Sequence, residues 1–296
     1  WESKAVFNPA ALYVEGRVHL VYRAISDADI SVFGYASSKD GASFDVRLTQ
    51  PIYQPRRDSE SKGCEDPRLT LLDGNLYMCY TAFDGRLPRV ALTSITLPDF
   101  LSESWNWTDP ILISPPGVDD KDAAIFPKKV DGKYVILHRV GRSIWLDMVD
   151  SLTLGEGNWI KGNVIMSPRQ EQTIVEKIGI AAPPIETDRG WLLLYHIVTK
   201  RNNRVYYYLS AALLDIDHPW RVIARRKTPL LEPEMPYEKD GQVADVVFPC
   251  GAVVIQGQLF AYYGGADSVI GVATIKLTDL LAGLSIVTAV LLGEHL

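Results

Sequence analysis

The segment from Gly63 to Arg68, Gly-Cys-Glu-Asp-Pro-Arg, holds the strongest candidate for an acid catalyst, Asp66. A proline restricts the residue before it to extended conformations, so Pro67 is expected to fix where the Asp66 carboxylate points. The neighbouring Glu65 would raise the pKa of Asp66 by repulsion between like charges, and Arg68 would oppose this effect. A raised pKa keeps an acid protonated until a leaving group takes the proton. The structural alternative is an Asp-Pro turn in which Arg68 serves as the salt-bridge partner.

Charged, amide and imidazole side chains recur at other points where strand-like runs begin or end. A purely structural repeat would place apolar residues at most of these points. The alternation of acids with cations and imidazoles suits a ligand that has many hydroxyl groups and an anion. For the histidines, packing as satisfied core residues is the alternative. The positions are Asn8, Arg23, Lys121, Asp122, His138, Arg139, Lys177, His196, Asp245 and Asp267.

Most of these residues lie in or next to one sequence pattern, which occurs five times in the chain. Each copy runs through a proline, a turn that contains Gly, and a strand-like run that ends in an aromatic residue or a histidine. The copies lie about 60 residues apart, and a period of this size indicates a repeat architecture. The prolines of the five copies are Pro9, Pro67, Pro127, Pro183 with Pro184, and Pro249.

A second strand-like segment follows the central run in every copy, rich in β-branched and aromatic residues. Each unit is therefore expected to form an antiparallel sheet of three or four strands, which cannot bury both faces alone. Five such sheets stacked radially can, which predicts an all-β fold: a five-bladed β-propeller, in one domain over residues 1–296. The first strand of each blade would line a central substrate channel, where residues at matched positions converge. A pair of β-sandwiches is the alternative, but it does not explain five matched phrases.

Composition narrows the possible partners. The 296 residues are 47% hydrophobic, enough for a substantial core, and carry a net charge of −6 with no long basic tract. Nucleic acid is therefore not an expected partner, because binding of its phosphate backbone needs clustered cations. The three cysteines are too few and too scattered for a disulfide framework or a zinc site, and we expect free buried thiols. No motif for a metal or a nucleotide cofactor occurs.

The two ends of the chain carry no sign of a membrane partner. The first residues lack the charged and apolar regions of a signal peptide. The apolar stretch from Leu280 to Leu292 is too short and too interrupted for a membrane span, which needs roughly 20 residues. We interpret this stretch as a closing strand or a short helix, and we expect a cytoplasmic protein.

Five segments together resemble glycoside hydrolase family 130. They are Gly-Cys-Glu-Asp-Pro-Arg (63–68), Lys-Asp-Ala-Ala-Ile-Phe-Pro-Lys-Lys (121–129), Leu-His-Arg (137–139), Val-Val-Phe-Pro-Cys-Gly (246–251) and Tyr-Tyr-Gly-Gly-Ala-Asp (262–267). The resemblance extends from about Asn8 to Leu281, and the combination is specific although each segment alone is weak. It implies a five-bladed propeller that is, in most members, an inverting phosphorylase of β-mannosides and, in a minority, a β-1,2-mannosidase. A homo-oligomer is a further expectation, since members of the family are often oligomers.

The resemblance also implies roles for individual residues. Asp66 matches the single catalytic acid, which is thought to protonate the glycosidic oxygen indirectly, through the 3-hydroxyl of the mannosyl unit. The groups that hold the mannosyl ring would be Asn8, Arg23 and Asp267, and Glu65 and Asp122 are assigned to substrate binding with them. The phosphate-facing set would be Arg89, Lys121, His138 and Tyr207, with Arg86 as the alternative to Arg89.

The chemistry of inversion agrees with these roles. An inverting enzyme needs an acid on one face of the sugar and a nucleophile on the other. Water as nucleophile requires a second carboxylate as base, whereas phosphate is already an anion and requires cations that place it. The predicted cations favour an inverting phosphorylase that gives α-mannose 1-phosphate, with inorganic phosphate as co-substrate and no cofactor. An inverting β-mannosidase and a non-catalytic propeller that binds glycans or a protein are the alternatives, and both β-1,2 and β-1,4 linkages remain open.

Overall fold

A computed structural model of the chain describes residues 1–169 and 175–286, and the fold is all-β. The strands form five consecutive antiparallel groups, which we call sets 1 to 5. Set 1 comprises β1 (Ala5–Val14), β2 (Arg17–Ile25), β3 (Ser31–Ser38) and β4 (Phe44–Arg47), and set 2 comprises β5 (Gly63–Leu72), β6 (Asn75–Phe83), β7 (Arg89–Thr96) and β8 (Ile111–Leu112). Set 3 comprises β9 (Asp120–Ile125), β10 (Tyr134–Val140), β11 (Ser143–Val149) and β12 (Asn163–Met166).

The last two sets complete the fold. Set 4 comprises β13 (Val175–Ile180), β14 (Ile185–Thr187), β15 (Gly190–Arg201), β16 (Arg204–Leu214), β17 (Val222–Arg225) and β21 (Ser285–Ile286), and set 5 comprises β18 (Val247–Ile255), β19 (Gln258–Gly265) and β20 (Val269–Lys276). A single parallel pair, Ser31 with Gly63, joins sets 1 and 2 into one sheet. The described helices are short: α1 (Leu97–Leu101), α2 (Pro236–Lys239), α3 (Leu277–Ala282) and a 3₁₀ turn at Asp58–Glu60.

Two-residue turns reverse the chain between the first two strands of four sets, where the sequence predicts turns with Gly. In set 3 the turn lies within a longer connection and is closed by an isolated bridge between Val130 and Lys133. Both turn residues have positive φ, which suits the type I′ geometry that matches the twist of a hairpin. In the turn of set 2, Asp73 has a φ of 51° and Gly74 a φ of 77°. The other three turns are Glu15-Gly16, Asp131-Gly132 and Gln256-Gly257.

The hydrophobic core consists of clusters that lie between neighbouring sets. Separate clusters join set 1 to set 2, set 2 to set 3, set 3 to set 4 and set 4 to set 5. A fifth cluster joins set 5 back to set 1, where Leu20 packs with Val253 and Tyr262. The sets therefore follow one another in a closed cycle, and each of them buries apolar side chains against both neighbours. The first strands of successive sets lie close together, with β1 between β18 and β5.

The five prolines of the sequence repeat are not structurally equivalent. Pro9, Pro67 and Pro249 lie within β1, β5 and β18, but Pro127 follows β9 and Pro183 follows β13. The strand pairing aligns Pro67 with Ala123, four residues before Pro127. Every set thus contains or is followed by one of these prolines, but the proline has no fixed position within a set.

Two further expectations concern the cysteines and the apolar stretch near the C-terminus. All three cysteines are free and buried, as expected. The stretch from Leu280 contributes to the short helix α3 and to the closing strand β21, and its residues beyond 286 lie outside the described part of the chain. Among the described residues, no helix is long and apolar enough to cross a membrane.

Candidate active site

A β-bulge interrupts the pairing of the first two strands at the same point in sets 1, 2 and 3. The residue that opens each bulge has a left-handed backbone: φ is 48° at Asn8, 52° at Asp66 and 57° at Asp122. The extended conformation predicted for Asp66 from Pro67 is therefore wrong, because the bulge overrides the local preference. A bulge redirects a side chain out of the alternation of a strand. Here it brings an amide and two carboxyl groups into one cavity.

That cavity has a volume of about 190 Å³ and takes residues from all five sets. Eight of the ten predicted site residues line it: Asn8, Arg23, Glu65, Asp66, Lys121, Asp122, Tyr207 and Asp267. The other lining residues are Arg139, Lys177, His196, Val243, Val246 and Phe248. Ten of the polar residues form two groups, which we call the acidic side (Asn8, Arg23, Glu65, Asp66, Asp267) and the cationic side (Lys121, Arg139, Lys177, His196, Tyr207). Asp122 contacts Arg139 and His196 of the cationic side.

On the acidic side, two donors hold one oxygen of Asp66. The amide of Asn8 donates to Asp66 Oδ1 over 2.8 Å, and Arg23 Nη1 lies 3.2 Å from the same atom. Arg23 also donates to Glu65 Oε1 over 2.8 Å. No described residue forms a hydrogen bond with Asp66 Oδ2. The carboxyl group is thus fixed through one oxygen, and the other remains for a ligand.

Asp267 contributes a further carboxyl group, whose pKa is raised. Burial and, after it, the negative charge of Asp66 raise the pKa of Asp267 to about 6, although Arg23 opposes the shift. A group with this pKa changes charge in the range where most enzymes work. The charge of Asp267 in the cavity therefore depends on the pH.

On the cationic side, three basic side chains have unequal partners. Arg139 donates through Nε to Asp122 Oδ2 over 2.7 Å and through Nη1 to the Gly141 carbonyl over 2.8 Å. Lys121 lies 3.8 Å from Glu65 Oε2, at the boundary with the acidic side. Lys177 forms no hydrogen bond or ion pair within residues 1–169 and 175–286. Burial and the neighbouring Arg139 lower the pKa of Lys177. A poorly compensated cation of this kind is a ready partner for an anion.

Two residues with aromatic side chains, His196 and Tyr207, complete the cationic side. Burial lowers the pKa of His196 to about 3, so its imidazole is neutral near pH 7. His196 packs on Phe248 at 4.6 Å between ring centroids, and its Nδ1 has no partner among the described residues. Burial raises the pKa of Tyr207, and Asp267 adds to the effect, so the phenol remains a donor. Neutral donors and cations thus share one side of the cavity.

Asp122 and His196 form the floor of the cationic side, and their close approach depends on Gly179. A Cβ on Gly179 would lie 2.4 Å from Asp122 Oδ2 and 2.5 Å from His196 Cε1. Both distances are far below van der Waals contact, so only glycine lets Asp122 and His196 approach each other here.

Two of the predicted phosphate ligands lie outside the cavity. His138 occupies both ring nitrogens with Asp120, at 2.8 Å, and the Lys161 carbonyl, at 3.0 Å. Arg89 stacks on Trp159 and donates to the carbonyl of Ser114. Besides Arg23 and Lys121, the cations that line the cavity are Arg139 and Lys177. The alternative to Arg89, Arg86, is exposed and is not among the lining residues either.

The sequence analysis named three of the remaining lining residues as candidate positions but assigned them no role. Arg139, Lys177 and His196 stand at the ends or starts of predicted strands, which was the available signal. Val246 and Phe248 belong to the segment Val-Val-Phe-Pro-Cys-Gly, but nothing in the sequence marks them as cavity residues. Val243 lies in a connection before β18 and carried no signal.

Comparison with known proteins identifies the family to which this chain belongs. The family model described as beta-1,4-mannooligosaccharide phosphorylase, of glycoside hydrolase family 130, matches residues 2–285. The chain belongs to glycoside hydrolase family 130. It is 42% identical to a 1,2-beta-oligomannan phosphorylase of Thermoanaerobacter sp. (strain X514), over 95% of this chain and 93% of the relative. It is 41% identical to a beta-1,2-mannobiose phosphorylase of the same organism, over 93% of this chain and 91% of the relative.

The fold is also similar to that of solved structures. The structure of a beta-1,2-mannobiose phosphorylase from Listeria innocua in complex with beta-1,2-mannobiose matches with a TM-score of 0.80 at 26% identity, over 95% of this chain and 92% of the other. A second structure matches with a TM-score of 0.80 at 27% identity, over 94% of this chain and 86% of the other. It is described as showing that the family of mannoside phosphorylases contains glycoside hydrolases that target beta-1,2 mannosidic linkages in Candida mannan.

Proposed function

We propose that this protein is an inverting phosphorylase that cleaves β-mannosides with inorganic phosphate and releases α-mannose 1-phosphate. The observation that carries the proposal is the division of one cavity into an acidic side and a cationic side. Sugar hydroxyl groups find acceptors on the acidic side, and phosphate finds cations and neutral donors on the other. The relatives at 42% and 41% identity, both phosphorylases by name, support it.

In this proposal Asp66 is the acid. Asn8 and Arg23 hold its Oδ1, which leaves Oδ2 to pass a proton to the substrate, either to the glycosidic oxygen or through the 3-hydroxyl of the mannosyl unit. Asp267 has a pKa raised to about 6 and serves as a hydrogen-bond partner of the mannosyl ring. Glu65 stays engaged with Arg23 and closes this side of the cavity.

Phosphate attacks the anomeric carbon from the cationic side. Lys121, Arg139 and Lys177 would neutralise and orient it, and Tyr207 and His196 would donate or accept hydrogen bonds. A preformed set of donors lowers the barrier because it needs no rearrangement during the reaction. The reaction then needs no metal or organic cofactor, since phosphate is itself the nucleophile.

Hydrolysis is the second candidate, since the similar family structure described above concerns glycoside hydrolases. A hydrolase needs a carboxylate that takes a proton from water on the face opposite the acid. The acid next to the cationic side is Asp122, which is 3% exposed. Burial favours its neutral form, but Arg139 and Arg68 outweigh burial and lower its pKa. A carboxylate with a lowered pKa is a weak base, which favours phosphate as the nucleophile.

We infer that the five sets are the blades of one five-bladed propeller and that the chain is a single catalytic domain. The closed cycle of core clusters supports this arrangement. The positions of two cavities along the first strands also support it. The candidate active site lies at one end of these strands, and a mostly apolar depression of about 340 Å³ lies among residues further along them. The channel between the two would be the propeller axis.

The first substrate to test is β-1,2-mannobiose, because the two relatives above 40% identity and the mannobiose-bound structure are all named for β-1,2-linked substrates. A β-1,4-linked mannobiose is the comparison substrate, since the family model carries that linkage in its description. The preferred substrate is the one with the higher kcat/KM.

The decisive experiment measures cleavage of mannobiose with and without inorganic phosphate, with products followed by ³¹P and ¹H NMR. We expect cleavage only with phosphate, and α-mannose 1-phosphate as the first product. Asp66→Asn should lower the rate about 100-fold or more, since general acid catalysis contributes factors of this size. Asp131→Asn, in an exposed turn of set 3, is the control and should leave the rate unchanged. Release of mannose at the same rate without phosphate would identify a hydrolase instead.

A further inference from the structure

Asp122 lies beneath the cationic side and contacts cations through both of its oxygens. Oδ2 accepts a hydrogen bond from Arg139 Nε over 2.7 Å and lies 3.6 Å from His196 Nε2. Oδ1 lies 3.3 Å from Arg68 Nη2. The side chain is 3% exposed, so almost none of it is open to a ligand in the cavity.

Arg68 connects Asp122 to the acid. Its guanidinium is 1% exposed, and it donates to the carbonyl of Asp66 over 2.8 Å and to the carbonyl of Ile180 over 2.7 Å. One buried cation therefore holds the left-handed bulge of Asp66, the Asp122 carboxylate and the end of β13. The acid and the cationic side share a single internal support.

We propose that Asp122 is a positioning residue of the phosphate subsite and not a ligand of the sugar. It holds the Arg139 guanidinium by its Nε, which leaves Nη2 for phosphate, and it holds the His196 imidazole against the Gly179 backbone. This inference rests on the proposed function, since it requires phosphate to bind on the cationic side. It replaces the role in sugar binding that the sequence predicts for Asp122.

Removal of the charge should affect phosphate and not the sugar. In Asp122→Asn, Arg139 and Arg68 lose their shared counter-ion, and a buried charge without its partner moves towards other acceptors or water. Steady-state phosphorolysis of β-1,2-mannobiose should then show a KM for phosphate raised about tenfold or more, and a KM for mannobiose within about twofold of the original. This split separates a positioning role from general damage, which would not single out one substrate.

Asp120 provides a matched control on the same strand. It is 0% exposed, bonds to His138 over 2.8 Å and does not line the cavity. Asp120→Asn removes an equally buried carboxylate, and its KM for phosphate should stay within about twofold of the original. Asp122→Glu keeps the charge but displaces it, and should show the same split if Asp122→Asn does not fold.

Three outcomes would overturn the inference. A raised KM for mannobiose with an unchanged KM for phosphate in Asp122→Asn would make Asp122 a sugar ligand. Equal effects of Asp120→Asn and Asp122→Asn on both KM values would make the role purely structural. Cleavage by the unmodified protein that ignores phosphate would refute the proposed function and this inference with it, whereas the first two outcomes leave the proposed function standing.

Discussion

Asp267 is the residue whose surroundings make the sharpest prediction. Burial raises its pKa from the ordinary 3.8 to about 6, so the folded protein binds this proton more tightly than the unfolded chain does. The stabilisation from the neutral form is complete below pH 3.8 and is lost as the pH rises through about 6. Asp267→Asn removes this loss. The variant should be more stable than the original at pH 8, by up to about 3 kcal/mol, and should lose the advantage at pH 4.

Urea unfolding of both proteins at the two pH values measures this difference. The same variant should lose affinity for mannobiose, because an amide cannot replace both carboxylate oxygens as acceptors. A stability difference that is the same at pH 4 and pH 8 would show that Asp267 does not titrate in this range.

Individual residues also show where sequence reasoning reaches its limit. The repeat marks seven of the eight predicted residues that line the cavity, because matched positions in repeated units converge, whereas Tyr207 came from the family resemblance. His138 and Arg139 are neighbours on β10, and neighbours on a strand face opposite ways. The sequence identifies the end of the strand but not which of its two faces meets the cavity. His138 was therefore predicted to face the cavity, whereas Arg139 lines it.

At the scale of the element, the bulges of β1, β5 and β9 decide what enters the cavity. Nothing in the sequence announces them, since Pro67 by itself predicts an extended Asp66. The strand pairing forces two residues opposite one, and the left-handed backbone follows from that pairing. Turns such as Asp73-Gly74 were predictable because the residue pair itself favours positive φ.

Strand β13 offers a test at this scale. Gly179→Ala places a methyl group 2.4 Å from Asp122 Oδ2, so the carboxylate and His196 must move apart. Crowding of this kind costs about 1–3 kcal/mol of stability, and the shift of Asp122 should also raise the KM for phosphate. Thermal unfolding and steady-state kinetics measure the two effects.

Gly132→Ala is the control for the glycine in β13. Gly132 has a φ of 75° and nothing within 4 Å of an added Cβ, so alanine there strains only the backbone of an exposed turn. It should lower stability by about 1 kcal/mol and leave the KM for phosphate unchanged. If Gly179→Ala behaves in the same way, the floor of the cationic side does not depend on this close approach.

At the scale of the whole molecule, the cycle of core clusters predicts cooperative unfolding. Each set buries apolar side chains against two neighbours, so none of them can open without exposing parts of the core of the adjacent sets. Far-UV circular dichroism and tryptophan fluorescence should therefore give the same midpoint in urea. Two separate transitions would contradict the proposal of one domain.

The junction of set 5 with set 1 tests the closure of the cycle. Tyr262 is fully buried and donates to the Gly41 carbonyl over 2.7 Å, which ties the last set to the first. Tyr262→Phe should lower the free energy of unfolding by about 1–2 kcal/mol and shift both probes together. A shift in one probe alone would show that the junction opens independently of the rest.

The matched bulges also have a consequence for protein engineering. They give sets 1, 2 and 3 one equivalent position each, occupied by Asn8, Asp66 and Asp122. Their left-handed backbone limits the occupant to residues that tolerate a positive φ, mainly Asn, Asp and Gly. A small library of Asn, Asp and Gly at these three codons would therefore test which other arrangements of acid and amide groups give a folded and reactive protein.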